Sequence, residues 1–286
     1  MKYSVSVVIP NWNGVDFIES CLLSLKKQTF KHHVIVVDNG SSDNSVEIIK
    51  KFKEVELIEL SKNTGFTGGV NTGIERALER GDEFVALLNN DAVADKNWLK
   101  ELVRPIAKDK GTVICTSKIM RSDKKHLDST GDFLTIWGLP FPRGRNEADA
   151  GQYNKPEEVF GASGGASIYR CSFLKEYGLF DQSFFAYYED VDMSFRAQLA
   201  GYNVRYEPKA VVYHEIGATS SKLGSFTRYH SLKNFELLYY KNMPGWLFWK
   251  YLPLKSIQYL RMAAGAVRDG QIWALAKSWV VTVILL

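Results

Sequence analysis

The chain has 286 residues, a formal net charge of +4 and an apolar content of 45%, which excludes wholesale disorder and allows one large α/β domain with or without an appendage. So mild a positive charge does not argue for nucleic acid as a partner, although it suits an anionic ligand or an anionic membrane surface. Three scattered cysteines, Cys21, Cys115 and Cys171, suggest neither a disulfide framework nor a zinc site and fit a reducing cytosol. Met1-Lys2-Tyr3 runs straight into a strand, so no signal peptide is expected. No apolar run reaches the roughly 18 residues of a membrane span.

Val5 to Ile9 is a β-branched run that reads as a buried first strand. Pro10 stops it, and Asn11-Trp12-Asn13-Gly14 forms a loop. Phe17, Ile18, Cys21, Leu22 and Leu25 then recur at helical spacing. Val34 to Val37 predicts a second strand, ended by the turn chemistry of Asp38 to Asp43, with Ser42 or Asp43 capping a helix through Phe52. A third strand is expected near Val55 to Glu59, and a helix after Asn63-Thr64-Gly65-Phe66 that reaches about Arg80. Phe84 to Leu88 is a fourth strand. A helix near Asn97 to Ala107 and a strand near Thr112 to Ser117 follow.

Strands alternating with helices in this way imply a mostly parallel central sheet flanked by helices, a doubly wound nucleotide-binding type of unit. No Gly-x-Gly-x-x-Gly follows the first strand and no Gly-Lys-Ser/Thr occurs, which counts against dinucleotide enzymes and P-loop NTPases. From Lys118 to Val159 glycines and prolines break the pattern into loops and short strands. The small residues from Gly161 to Ala166, Gly164 and Gly165 among them, allow backbone close to a ligand. An aromatic stretch from Phe180 to Tyr188 leads into Glu189-Asp190-Val191-Asp192, which opens a helix through about Ala200 ended by Gly201. Val204 to Tyr206 and Ala210 to Tyr213 read as two strands, the second closed by His214-Glu215.

The fourth strand ends in Asn89-Asn90-Asp91. Open α/β sheets bind ligands beyond the carboxyl ends of their strands. A carboxylate placed there, two residues after an amide, suits a hard divalent cation such as Mg²⁺ or Mn²⁺, which prefers oxygen ligands and keeps sites free for substrate phosphates.

The motifs Val7 to Gly14, Val36 to Asp43, Asn63 to Phe66, Asn71 to Gly73 and Leu88 to Asp91 come in the order seen in family 2 glycosyltransferases of the GT-A fold, which the chain resembles over about residues 4–220. Phe184 to Asp192 and Tyr213-His214-Glu215 are similar to the rhamnosyltransferase-like and galactofuranosyltransferase-like branch. The resemblance implies a GT-A domain over residues 1–225, with a nucleotide-sugar-binding half at 1–117 and an acceptor half at 118–225.

It also implies roles. Pro10, Asn11, Asn13, Asp38 and Asn39 would line the pocket for base and ribose, and Asn63, Gly65, Phe66 and Asn71 would shape the donor cleft. Asn89 and Asn90 would contact the nucleotide. Asn89 departs from the family's Asp-x-Asp pattern, which leaves Asp91 as the main carboxylate ligand with His214 as a second one. Asp190 would be the general base, and Gly164, Gly165, Glu189 and Asp192 would lie near the sugar or acceptor. The implied reaction is inverting, metal-dependent transfer, most readily of rhamnose from dTDP-rhamnose, with UDP-sugars next, to a cell-surface polysaccharide or lipid-linked glycan at the inner membrane face.

Two rivals stand. A nucleotidyltransferase would need a cationic glycine-rich loop where Asn11 to Gly14 lies, and there is none. A non-catalytic sugar-nucleotide module or assembly scaffold is suggested by the uncharged Asn89.

The tail at 226–286 is expected to be helical from about Tyr229. Its Trp and Tyr residues lie among Lys250, Lys255 and Arg261, which suits an interfacial helix and a peripheral membrane contact; the alternative is packing on the domain or on a second copy. Trp279 to Leu286 reads as a surface anchor or as part of a longer helix.

Overall fold

A computed structural model describes residues 3–215 and 224–285. Twelve strands and nine α-helices alternate along these residues. The first half runs β1 (Val5–Asn11), α1 (Ile18–Lys26), β2 (His33–Asp38), α2 (Ser45–Ile49), β3 (Val55–Glu59), α3 (Gly65–Glu79), β4 (Phe84–Leu88), β5 (Ala92–Ala94), α4 (Trp98–Lys108) and β6 (Thr112–Arg121). Four short strands follow: β7 (Leu127–Ser129), β8 (Asp132–Leu134), β9 (Pro140–Pro142) and β10 (Glu157–Val159). The remainder is β11 (Ala166–Arg170), α5 (Cys171–Tyr177), α6 (Glu189–Leu199), β12 (Asn203–His214), α7 (Gly224–Asn242), α8 (Gly245–Arg268) and α9 (Ile272–Leu285).

The main sheet has the order β10-β12-β6-β11-β4-β1-β2-β3. β4, β1, β2 and β3 are mutually parallel, as are β6 and β12, while β11 runs antiparallel between β4 and β6. The expected α/β architecture with a mostly parallel sheet is therefore present. Both faces of the sheet are covered, which explains the continuous apolar runs. Alternate residues divide between the faces: Val5, Val7 and Ile9 pack with α1 and α4, whereas Val8, Ile35 and Val37 pack with α3.

Some elements differ from expectation. β12 is one strand and not two, because an irregularity between Glu207 and Val211 shifts its register on β6 without ending the pairing. β6 continues to Arg121, and α5 appears where no helix was expected. α2 is a five-residue helix that ends at Ile49 instead of Phe52. Asp43 accepts from the Ser45 amide at 3.0 Å at its start. The expected boundary at 225/226 falls in the first turn of α7. Leu286, the last residue of the terminal apolar octet, lies outside the described residues.

The architecture fixes where a ligand can go. Asn11 ends β1, Asp38 ends β2 and Asn89 follows β4, all at one edge of parallel strands. The antiparallel β11 begins at that edge, so Gly164 and Gly165 arrive beside them. β12 ends there too, and its pairing with β5 sets His214 opposite Ala92.

α3 lies very close to β1 and β2. A Cβ at Gly73 would sit 2.3 Å from Val8 Cγ1 and 3.2 Å from Val37 Cγ2, and both valines are buried in strands that leave them little room to move. Gly73→Ala should therefore lower the thermal midpoint. An overpacking cost of about 1–3 kcal/mol outweighs the roughly 1 kcal/mol that alanine gains in helix propensity. An unchanged or raised midpoint in thermal unfolding would contradict the close approach.

Candidate active site

A cleft of about 730 Å³ opens beyond the carboxyl ends of β1, β2 and β4. Pro10, Asn11 and Asn39 line it from the first two strands, and Asn63, Gly65 and Phe66 from the start of α3. Asn89, Asn90 and Asp91 line it after β4, Gly164 and Gly165 before β11, Glu189 and Asp190 at the head of α6, and His214 at the end of β12. Residues more than 120 positions apart in the chain thus share one wall, as the β5–β12 pairing requires.

Asparagine amides brace the nucleotide-side loops. Asn90 Nδ2 donates to Asn11 Oδ1 at 2.9 Å, and Asn11 Nδ2 donates to Asp38 Oδ1 at 2.9 Å and Ser45 Oγ at 2.9 Å. Asn39 Nδ2 donates to the Gly65 carbonyl at 2.7 Å, while its Oδ1 accepts from the Thr64 amide at 2.8 Å.

His214 lies between two carboxylates. Its Nδ1 is 2.9 Å from Asp128 Oδ2 and its Nε2 is 3.1 Å from Asp91 Oδ1. Arg145 holds the other oxygen of Asp128 at 2.9 Å. Burial works against the imidazolium, but the two neighbouring carboxylates, Asp128 first and then Asp91, prevail and push its pKa up to about 9. Asp91 Oδ1 is buried and accepts no well-directed hydrogen bond.

That buried acceptor beside an imidazole nitrogen fits a divalent cation. With its Nδ1 proton committed to Asp128, His214 would offer Nε2 once it is neutral, the carboxylate–histidine arrangement common around metals. Among the described residues no group of three or more His, Cys, Asp or Glu side chains is placed to share an ion. Asp91 and His214 thus provide a partial ligand set, with the remaining positions left for water or phosphate oxygens.

The opposite chemistry gathers at α6. Asp190 Oδ2 accepts from the Gly164 amide at 2.9 Å and its Oδ1 from its neighbour Val191 at 2.8 Å. Burial nevertheless raises its pKa, against the effect of those bonds. Burial and then the charge of Asp190 lift Glu189 well above the usual carboxylate range, and the same two causes bring Asp132 to about 7. Glu189 Oε2 is buried without a hydrogen-bond partner.

The loop before α6 is strained. Phe185, Tyr187 and Tyr188 have φ of 65°, 72° and 69°, conformations that cost an L-residue on the order of 1–3 kcal/mol each. Two elements hold them. On the α3 side, the Phe185 carbonyl accepts from the Thr67 amide at 3.1 Å, and a Cβ at Gly65 would lie 2.4 Å from that carbonyl. Gly65 also has φ of 80°, so glycine is required there twice over. On the α7 side, the buried Asn234 Nδ2 donates to the carbonyls of Phe184, Ala186 and Tyr187 at 3.0, 2.8 and 2.6 Å.

Four expected site residues do not line the cleft. Asp38 is buried, its Oδ1 taken by Asn11 and Ser41 and its Oδ2 by the Ser41 amide, so its carboxylate closes the β2 turn. Asn13 accepts from the Ser42 amide at 2.8 Å on the outer side of the same turn. Asn71 ties α3 to Phe180, donating to its carbonyl at 2.7 Å and accepting from its amide at 3.0 Å. Asp192 is fully buried against Arg196 (3.0 Å), Lys241 (2.9 Å) and Asn242 (2.8 Å), fastening α6 to α7. Conversely, Asp128, Asp132 and Arg145 line the cleft without having been expected there. The two acids have one trace in the sequence, the run Asp128-Ser129-Thr130-Gly131-Asp132 in an aperiodic segment.

A family model described as glycosyl transferase family 2 matches residues 6–178, more than half of the chain. The chain belongs to glycosyl transferase family 2. The match ends before Asp190 and His214. The chain is 25% identical over 216 residues to the poly-β-1,6-N-acetyl-D-glucosamine synthase of Staphylococcus epidermidis, covering 73% of this chain and 49% of that protein. It therefore spans about half the length of the curated relatives it matches.

Among solved structures, S. aureus TarS 1-349 in complex with UDP aligns with a TM-score of 0.58 at 18% identity, over 87% of this chain and 70% of that one. The mannosyltransferase PcManGT of Pyrobaculum calidifontis, in complex with GDP-Man and Mn²⁺, aligns with a TM-score of 0.62 at 16% identity, over 99% and 81%. Identities this low speak to the fold alone, which this glycosyl transferase family 2 chain shares.

Two expectations follow for stability. Asp132 in the folded protein holds its proton up to about pH 7, whereas an unfolded carboxyl releases it near pH 4. The folded state binds more protons across that window, so stability falls as pH rises through it. Asp132→Asn cannot ionise and removes the loss. It should gain on the order of 2 kcal/mol over the parent at pH 8 and little at pH 4, read by denaturant unfolding at both. Asn234→Asp keeps the shape but sets a carboxylate against three carbonyls. It should cost about 3 kcal/mol, with loss of the ordered loop detectable by faster proteolysis near residue 185. Unchanged cleavage would show that the loop is held elsewhere.

Proposed function

We propose that the chain transfers a sugar, with inversion, from a nucleoside diphosphate donor to a hydroxyl of a glycan or lipid-linked glycan, in the synthesis of a cell-surface polysaccharide. The observation that carries this reading is Asp190: a half-buried carboxylate with a raised pKa, aimed by two backbone amides, in the same cleft as Asp91 and His214. A raised pKa brings a carboxylate closer to the proton affinity a general base needs at neutral pH.

Asp190 removes the proton of the acceptor hydroxyl. The freed oxygen attacks the anomeric carbon as the bond to the diphosphate oxygen breaks, and one displacement inverts that carbon. Asp91 and His214 would hold Mn²⁺ or Mg²⁺, which when bound offsets the charge of the departing diphosphate. Asp128 orients the His214 ring; Asn89 and Asn90 offer amides to the nucleotide, while Asn11 and Asn39, whose amides are taken up within the protein, shape the pocket around it. The complexes of structural neighbours with UDP, UDP-GlcNAc, and GDP-Man with Mn²⁺ support this class of donor and metal. The motifs around residues 184–192 and 213–215 make dTDP-rhamnose the first donor to try, ahead of UDP-sugars.

A panel of nucleotide sugars, with and without Mn²⁺, should reveal the donor by thermal stabilisation, since a bound ligand raises apparent stability by mass action. With that donor, Asp190→Asn should lower kcat by about 10²–10⁴-fold while donor Kd stays nearly unchanged. Full turnover in the variant, or a product of retained anomeric configuration, would remove Asp190 from this role.

A further inference from the structure

The three C-terminal helices leave one face uncovered. α7 packs on α6, α8 and α9, and it lends Phe226 and Ser231 to the rim of the cleft. The inward side of α8 is polar as well as apolar: Lys255 is buried against Glu236 and over the rings of Tyr239 and Tyr240. The outward side carries Trp246, Trp249, Ile257 and Leu260, spaced three to eight residues apart and therefore on one side of the helix. α9 separately exposes Trp273 and Trp279. Trp249 is 72% exposed and Trp273 88%, values at odds with the cost of leaving an indole in water.

The charges on this face are of one sign. α8 and α9 contain no acidic residue; Lys250, Arg261 and Arg268 lie at exposed positions of α8, whereas Lys277 of α9 turns to the Tyr229 ring of α7. Asp269, between the two helices, is already paired with Arg228 at 2.7 Å and Arg268 at 3.2 Å. Lys250 lies over the rings of Trp246 and Tyr251, so the cation and the indoles point to the same side. No helix among the described residues is long and apolar enough to cross a membrane.

We propose that this face docks on the surface of an anionic lipid bilayer. Indoles belong at the boundary between headgroups and acyl chains, and lysine and arginine stems extend along apolar surface to reach lipid phosphates. Each basic side chain near such a surface adds attraction that salt screens. A second copy of the chain fits poorly. A two-fold contact sets the same patch against itself, bringing Lys250, Arg261 and Arg268 against their own equivalents with no carboxylate on α8 to meet them. Docking is a property of the helices and needs no nucleotide sugar, so it can fail or hold independently of the proposed reaction.

The test is flotation of the full chain with vesicles of phosphatidylcholine alone and of phosphatidylcholine mixed with phosphatidylglycerol, at low and high salt. The expected result is salt-sensitive flotation with the mixed vesicles. Partitioning should drop on the order of tenfold or more both in Trp246→Ala/Trp249→Ala and in Lys250→Glu/Arg261→Glu. All these side chains are exposed, so the thermal midpoints should stay at the parent value, and light scattering should report a monomer. No flotation with anionic vesicles, equal and salt-insensitive flotation with neutral ones, or a dimer that the same substitutions dissolve would overturn the proposal.

Discussion

Negative charge crowded out of water is the constraint on which the rest of this structure depends. Asp91, Asp128, Asp132, Glu189 and Asp190 all line one cleft, and His214 and Arg145 are the cationic side chains that line it with them. Removing a carboxylate from water is costly unless it is paired, hydrogen-bonded or protonated. The molecule uses all three remedies in different places. Arg145 and His214 pair with Asp128, backbone amides satisfy Asp190, and burial shifts Asp132 and Glu189 toward their protonated forms. The cleft is therefore divided into a side that attracts cations and a side that retains protons.

Delivery of Asp190 to the second side uses backbone geometry that the chain does not favour locally. Three residues between 185 and 188 take left-handed conformations, and that strain persists only because packing leaves the loop no alternative. α3 contributes a glycine and an amide from one side, and α7 contributes Asn234 from the other. The helix that follows tolerates three acids in its first turn, where the macrodipole favours them, and Asp192 uses that tolerance to anchor α6 on α7. C-terminal helices that looked separable from the domain in composition are thus coupled to its chemistry.

Much of this was legible in the sequence. Apolar runs bounded by Asn, Asp and Gly placed β1 to β4, and the residues immediately after those strands proved to be cleft residues because parallel strands share a carboxyl edge. His214 and Asp190, which the surrounding motifs single out, line the same cleft. Three of the expected residues that do not line the cleft share a physical reason. Asp38, Asn71 and Asp192 are polar and buried, and periodicity shows that a polar residue is present without showing whether it faces ligand or protein. Asp128 and Arg145 were missed for the converse reason: they lie in an aperiodic segment, where tertiary pairing with His214 and not local pattern decides their position. β12 was divided in two because a register irregularity looks locally like a strand end.

The pairing of β12 with β5 also has a consequence during synthesis. Asp91 leaves the ribosome early, whereas its neighbour His214 and the clamp residue Asn234 follow more than a hundred residues later. A nascent chain that has completed the first four parallel strands still lacks half of the cleft. The cleft is complete only once the last strand of the sheet lies beside β6 and the following helix has closed on the loop before α6.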